Sequence, residues 1–153
     1  MRELCGNIWE FRGTAIIAIT TNGQVSRSGK AVMGRGVAAQ AGSMFPEIPV
    51  LLAQRIGEEG NHVHYLGDNI VSFPVEHSPY QVPDLRLIER SARELVAMAD
   101  QRGWQSLVVP RPGCGGGGLS WTDVRPILEK CFDDRFLVIS ALQVNNSEGS
   151  TKP

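Results

Sequence analysis

Residues 110–121, PRPGCGGGGLSW, place five of the chain's 17 glycines between Gly113 and Gly118. The stretch follows an apolar run, SLVV at 106–109, and precedes an amphipathic segment that begins near Ser120. A strand that ends in glycines and then opens a helix lets bare backbone N–H groups approach an anion. The helix N-terminus adds a partial positive charge. A flexible connector is the bland alternative, but this stretch is wedged between two strong elements, so a phosphate-binding loop is the better reading. An earlier unit repeats the pattern. The run TAIIAIT at 14–20 ends in the turn Thr21-Asn22-Gly23, and glycines at 29, 34 and 36 lie just ahead of a small-residue helix at 37–44. Ligands of open α/β sheets bind beyond the carboxyl ends of the strands. Both loops would open at that rim, which suits a ligand with two phosphates.

Neither common nucleotide motif fits. Gly113 and Gly118 have the spacing of a P-loop, but Leu119-Ser120 follows where lysine is required. Gly113, Gly115 and Gly118 match the dinucleotide fingerprint, as any glycine run does. The acid that should end the next strand is missing, because Asp133 and Asp134 precede the one strand that remains. Glu76 and His77 sit on a polar loop after a strand and form the candidate catalytic pair, with a solvated loop as the alternative. Cys114 lies where a helix N-terminus would lower its pKa, or else it fills space beneath the loop. His62 and His64 alternate without a third ligand, so no metal is expected. No cofactor is indicated either.

These residues need a scaffold, and its outline is legible. The 153 residues carry a formal net charge of -1, which provides no broad nucleic-acid surface, although one modified nucleotide fits as a ligand. Three widely spaced cysteines favour a reducing cytoplasm. No run has the length of a signal-peptide core or a membrane span. A cytoplasmic monomer without a membrane partner is expected, with one domain at 1–142 and a polar, disordered tail at 143–153. Helices are expected at 49–59, at 85–102 between an Asp84 cap and Gly103, and from Ser120 to about 132 with a capping-box-like Asp123. The apolar stripe of the second runs through 85, 88, 92, 95, 96 and 99. Strands are expected at 105–109 and 135–142, and as a hairpin pairing 62–66 with 70–75. The alternation predicts an α/β fold, a three-layer α/β/α sandwich with a mixed, mainly parallel sheet.

Four segments together carry a family resemblance: Gly6-Asn7-Ile8, Thr21-Asn22-Gly23, Met33-Gly34-Arg35-Gly36-Val37-Ala38 and PRPGCG at 110–115. Over roughly 3–142 the chain resembles the macro domains, nearest the branch typified by terminal ADP-ribose protein glycohydrolase. The resemblance implies the same sandwich and, as partner, ADP-ribose or an ADP-ribosylated macromolecule. It implies that Asn7 replaces an aspartate that bonds the adenine amino group, with Ile8 adding a backbone contact. Asn22, Met33, Gly34, Arg35, Gly36 and Val37 would surround the distal ribose and diphosphate. Gly113, Cys114, Gly115, Gly116, Gly117, Gly118 and Leu119 would wrap the diphosphate. Arg35 either adds charge there or points to solvent. Tyr80 would lie over the distal ribose, Trp121 would pack the helix start or wall the sugar, and Phe45 and Phe73 would line core or pocket.

The departures concern catalysis. That branch uses a lysine beyond the strand corresponding to 70–75 and an aspartate in the second glycine loop. Here Val75-Glu76-His77 and four glycines at 115–118 stand instead. The chain then reads as a hydrolase that releases ADP-ribose by a substrate-assisted route, with loop amides holding developing charge. The alternatives are a non-catalytic reader and a hydrolase of small ADP-ribose derivatives.

Overall fold

The computed structural model describes residues 1–141; the tail expected at 143–153 lies outside the described residues. Five strands, β1 (Arg2–Cys5), β2 (Ile16–Thr21), β3 (Ile70–Pro74), β4 (Leu107–Pro110) and β5 (Phe136–Ser140), form one sheet in the order β1-β5-β4-β2-β3. Four helices accompany them: α1 (Gly36–Met44), α2 (Glu47–Glu59), α3 (Leu85–Arg102) and α4 (Trp121–Cys131).

Strand β2 shows why the fold has three layers. Its residues are β-branched or small and point alternately to two faces. Ile16 and Ala18 join Phe73, Ile88, Leu95 and Leu128 in a core beneath α3 and α4. Ile17 and Ile19 join Ala41, Phe45, Ile48 and Leu52 beneath α1 and α2. Phe45 and Phe73 are thus core residues. Helix α3 runs over the expected span: Asp84 Oδ1 accepts from Arg86 N at 2.9 Å, and Gly103 closes it in the left-handed region at φ 70°. Its stripe turns slightly at the start, where Leu87 is buried and Leu85 exposed. Ser120 caps α4 by accepting from Thr122 N.

Two sheet features differ from expectation. Every pairing among the five strands is parallel, so the sheet is not mixed. The first arm of the expected hairpin, 62–66, makes only one antiparallel bridge, Tyr65 to Val71. Side chains hold its backbone instead: Glu94 accepts from Val63 N at 3.0 Å, and Ser72 Oγ accepts from His64 N at 2.9 Å. The second difference is β1, an exposed edge strand without apolar alternation that pairs with β5. It delivers Gly6 to the rim, where Gly6 N donates to Ser140 O. Among the described residues, no helix is long and apolar enough to cross a membrane.

Candidate functional site: a cleft across the strand ends

A cleft of about 970 Å³ crosses the carboxyl ends of the strands. It begins at Asn7 and Ser140 beside β1 and β5, passes the glycine loop after β4, and ends at Thr21 and Glu76 beyond β2 and β3. It gathers Asn7, Ile8, Asn22, the five residues from Met33 to Val37, Glu76, the five from Gly113 to Gly117, and Leu119. Three expected residues fall outside the wall. Gly118 closes the loop, donating to Gly115 O at 3.4 Å with φ 82°. His77 is exposed and faces Asp84, Nε2 to Oδ2 3.6 Å. Tyr80 is 94% exposed.

The second glycine loop must be bare backbone at two of its positions. Leu119 N donates to Gly113 O at 2.9 Å and pinches the loop. Gly113 has φ 72°, and a Cβ there would lie 2.8 Å from Leu119 Cδ1. A Cβ on Gly117 would lie 2.6 Å from Pro83 Cγ and 2.7 Å from Gly113 O. Side chains are therefore excluded at both positions. Among the described residues, the amides of Gly115, Gly116 and Gly117 donate to no protein acceptor. Three consecutive free N–H groups ahead of the α4 N-terminus make an anion cradle.

The first loop is built by a side chain. Asn22 is buried; its Oδ1 accepts from Gln24 N at 2.9 Å and its Nδ2 donates to Val32 O at 3.0 Å. Val32 N returns a bond to Gln24 O, and Val25 bridges Ala31, so residues 23–31 are pinched off and Met33 to Val37 are aimed at the cleft. No side chain caps α1 at Arg35, which leaves its first-turn amides free of a capping partner beside the cleft. Arg35 crosses to the second loop, where a Cβ on Gly116 would overlap its guanidinium. It lines the cleft and stays exposed to solvent there. Burial raises the Glu76 carboxyl above the ordinary carboxylate range, and the charge of Arg35 opposes that rise.

At the opposite end Asn7 Oδ1 already accepts from Trp9 N at 3.0 Å, capping a 3-10 turn (Ile8–Phe11). One oxygen lone pair and the side-chain NH2 remain for a ligand. Trp121 forms part of the wall, with its Nε1 donating to Glu3 Oε1 at 3.1 Å and the Arg111 guanidinium 4.7 Å from its ring centroid. Burial pushes the Cys114 thiol up, more than the charge of Arg111 lowers it, and Sγ donates to Pro112 O. Among the described residues, no cluster of three His, Cys, Asp or Glu could hold a metal. His62 pairs with Glu94, and the His64 ring bonds Gly60 O. Glu76 is the one carboxylate among the described lining residues, and no lysine joins it. Thr21, Gln40 and Arg111 line the cleft without having been singled out as site residues from sequence.

No family model matches the chain. A curated relative from Thermosipho africanus, described as a DNA ADP-ribosyl transferase-DNA ADP-ribosyl glycohydrolase fusion protein, is 26% identical over 122 residues. That match covers 63% of this chain and 31% of the relative, so the chain spans about a third of the relative's length. Solved structures are similar as well, three of them as follows. The macrodomain of Thermus aquaticus DarG has a TM-score of 0.75 at 23% identity, covering 93% of this chain and 97% of that one. The macrodomain of Mycobacterium tuberculosis DarG has a TM-score of 0.72 at 22% identity, covering 94% and 100%. Thermosipho africanus DarTG in complex with ADP-ribose has a TM-score of 0.72 at 20% identity, covering 97% of this chain and 44% of that one. With its all-parallel five-stranded sheet between two helical layers, the chain has the macrodomain fold.

Proposed function

We propose that this cleft binds ADP-ribose and that the chain hydrolyses ADP-ribose from a modified macromolecule, with ADP-ribosylated nucleic acid favoured and modified protein side chains next. The observation that carries the reading is the meeting of two loops over one cleft, one offering three unpaired amides and the other a guanidinium. That pairing suits a diphosphate. The Thermosipho DarTG structure contains ADP-ribose, and the curated relative carries a DNA ADP-ribosyl glycohydrolase in its description, which supports both ligand and substrate. The protein is taken to act as a cytoplasmic monomer, with 1–142 as its domain.

In the reaction, water attacks the anomeric carbon of the distal ribose and the bond to the target breaks. The bonding electrons leave with the target group. The ligand's own phosphate orients the water, and the loop amides and Arg35 hold the diphosphate in place. Glu76 takes the proton from water. A carboxyl raised by burial stands closer to neutrality, where a general base works best.

One observation favours a second reading, the reader: no lysine lies in the wall and no acid in the glycine loop. Incubation with ADP-ribosylated DNA and protein separates the two, because a reader releases no free ADP-ribose from any linkage. Glu76→Gln is expected to lower kcat about a hundredfold and to leave ADP-ribose affinity unchanged. The wild-type rate should rise with pH through a limb above the ordinary carboxylate range. Stability should change in the opposite sense. The folded state keeps its proton longer than the unfolded chain, so stability falls as pH rises through that window, and Glu76→Gln removes the fall.

A further inference from the structure

The loop between β3 and α3 has two sides. Pro79 and Pro83 line the cleft with Glu76, and the loop closes where Asp84 N donates to Val75 O at 2.8 Å. Away from the lining stand Tyr80, 94% exposed, and Val82, 74% exposed. They are the two most exposed large apolar side chains among the described residues. Scattered apolar residues on a surface are ordinary, but here the two most exposed share one loop.

Tyr80 is presented by a braced corner. Across Ser78-Pro79-Tyr80-Gln81, Gln81 N donates to Ser78 O at 3.2 Å and Tyr80 N to Ser78 Oγ at 3.3 Å. Proline at the second position presets the backbone of such a turn, and the serine hydroxyl reinforces it. Little backbone freedom is therefore lost when something stacks on the ring.

Charge selects the partner. Asp84 faces His77 and Glu89 pairs with Arg93, whereas Arg86, exposed in the first turn of α3, makes no ion pair among the described residues. A bare aromatic face near an uncompensated guanidinium suits single-stranded nucleic acid, whose bases stack on rings and whose phosphates meet cations. A protein partner needs more surface. Stable protein interfaces bury about 800 Å² a side, far beyond Tyr80 and Val82 even with the partly exposed Leu85 added.

We propose that Tyr80 and Arg86 form a platform for single-stranded nucleic acid, on which a nucleotide flanking the ADP-ribosylated one stacks while the ADP-ribosyl group occupies the cleft. The inference rests on the ADP-ribose reading and names its partner. Glu76, the base of the proposed reaction, opens this loop, so a target held at Glu76 has the platform beside it.

The test uses the chain carrying Glu76→Gln, so that the linkage stays intact. Calorimetry follows three probes: ADP-ribose, a single-stranded DNA oligonucleotide ADP-ribosylated on one internal base, and an ADP-ribosylated peptide. Adding Tyr80→Ala should weaken oligonucleotide binding roughly five- to thirtyfold, the worth of one stacked base. It should leave ADP-ribose affinity, peptide affinity and melting temperature unchanged. Tyr80→Phe should bind the oligonucleotide as tightly as its parent, because stacking needs the ring and not the hydroxyl. Arg86→Ala should lower oligonucleotide affinity by less, with a shallower salt dependence. No oligonucleotide loss in Tyr80→Ala or Arg86→Ala, an equal loss with free ADP-ribose, or a loss with the peptide would overturn the proposal. Failure of the wild type and Glu76→Gln alike to bind ADP-ribose overturns the functional reading itself, and with it this inference.

Discussion

The two glycine loops reach the same cleft by opposite means. The second loop offers mainly backbone: Gly113 and Gly117 are enclosed by Pro83 and Leu119, so no side chain fits at either position, and among the described residues the amides of Gly115 to Gly117 have no protein acceptor. The first loop is spacious at its glycines, since a Cβ at Gly36 would meet nothing within 4 Å, and it contributes side chains, Met33, Arg35 and Val37. Its shape comes from the buried amide of Asn22 and not from crowding. One loop is a rigid cradle of partial charges, the other an adjustable arm bearing a full charge. Preorganised amides need no reorganisation when charge develops, whereas a guanidinium on a flexible stem loses entropy to be held. Affinity should therefore depend more on the second loop.

Four substitutions break or sharpen that contrast. Gly117→Glu puts bulk and negative charge into the cradle and should weaken ADP-ribose binding by about two orders of magnitude or more, measured by calorimetry on variant confirmed folded by circular dichroism. Arg35→Ala should cost roughly tenfold in affinity, a loss that shrinks as salt is added, with an unchanged melting temperature. Asn22→Ala strands Gln24 N and Val32 O and should cost about 2 kcal/mol of stability by urea denaturation, the effect on binding following from a loosened first loop. Gly115→Ala is the smallest. Open space surrounds its added methyl and its φ is not in the left-handed region, so the melting temperature should hold or rise slightly. A melting temperature that drops as far in Gly115→Ala as in Gly117→Ala would remove the distinction between open and enclosed glycines.

Much of this frame was legible in the chain. The stripe of α3, its Asp84 cap and its Gly103 stop are local signals, and local physics decided them. The glycine loops announced themselves because glycine clusters have few other uses between a strand and a helix. Features that depend on distant partners were less visible. Edge strand β1 has no apolar alternation, and its partners in β5 lie 135 residues further along the chain, as in Arg2 with Leu137. The segment 62–66 alternates like a strand, but Glu94 and Ser72 claim the bonds a ladder would have used. The clamp by Asn22 and the crossing of Arg35 over Gly116 are tertiary facts with no signature in spacing.

The most direct measurement is a calorimetric titration of the wild-type chain and Gly117→Glu with ADP-ribose, beside ATP and NAD. A one-to-one complex with ADP-ribose, tighter than with either other nucleotide and lost in Gly117→Glu, is the predicted result. No binding of ADP-ribose by the wild type, or the same affinity in the variant, would contradict a diphosphate cradle at this cleft.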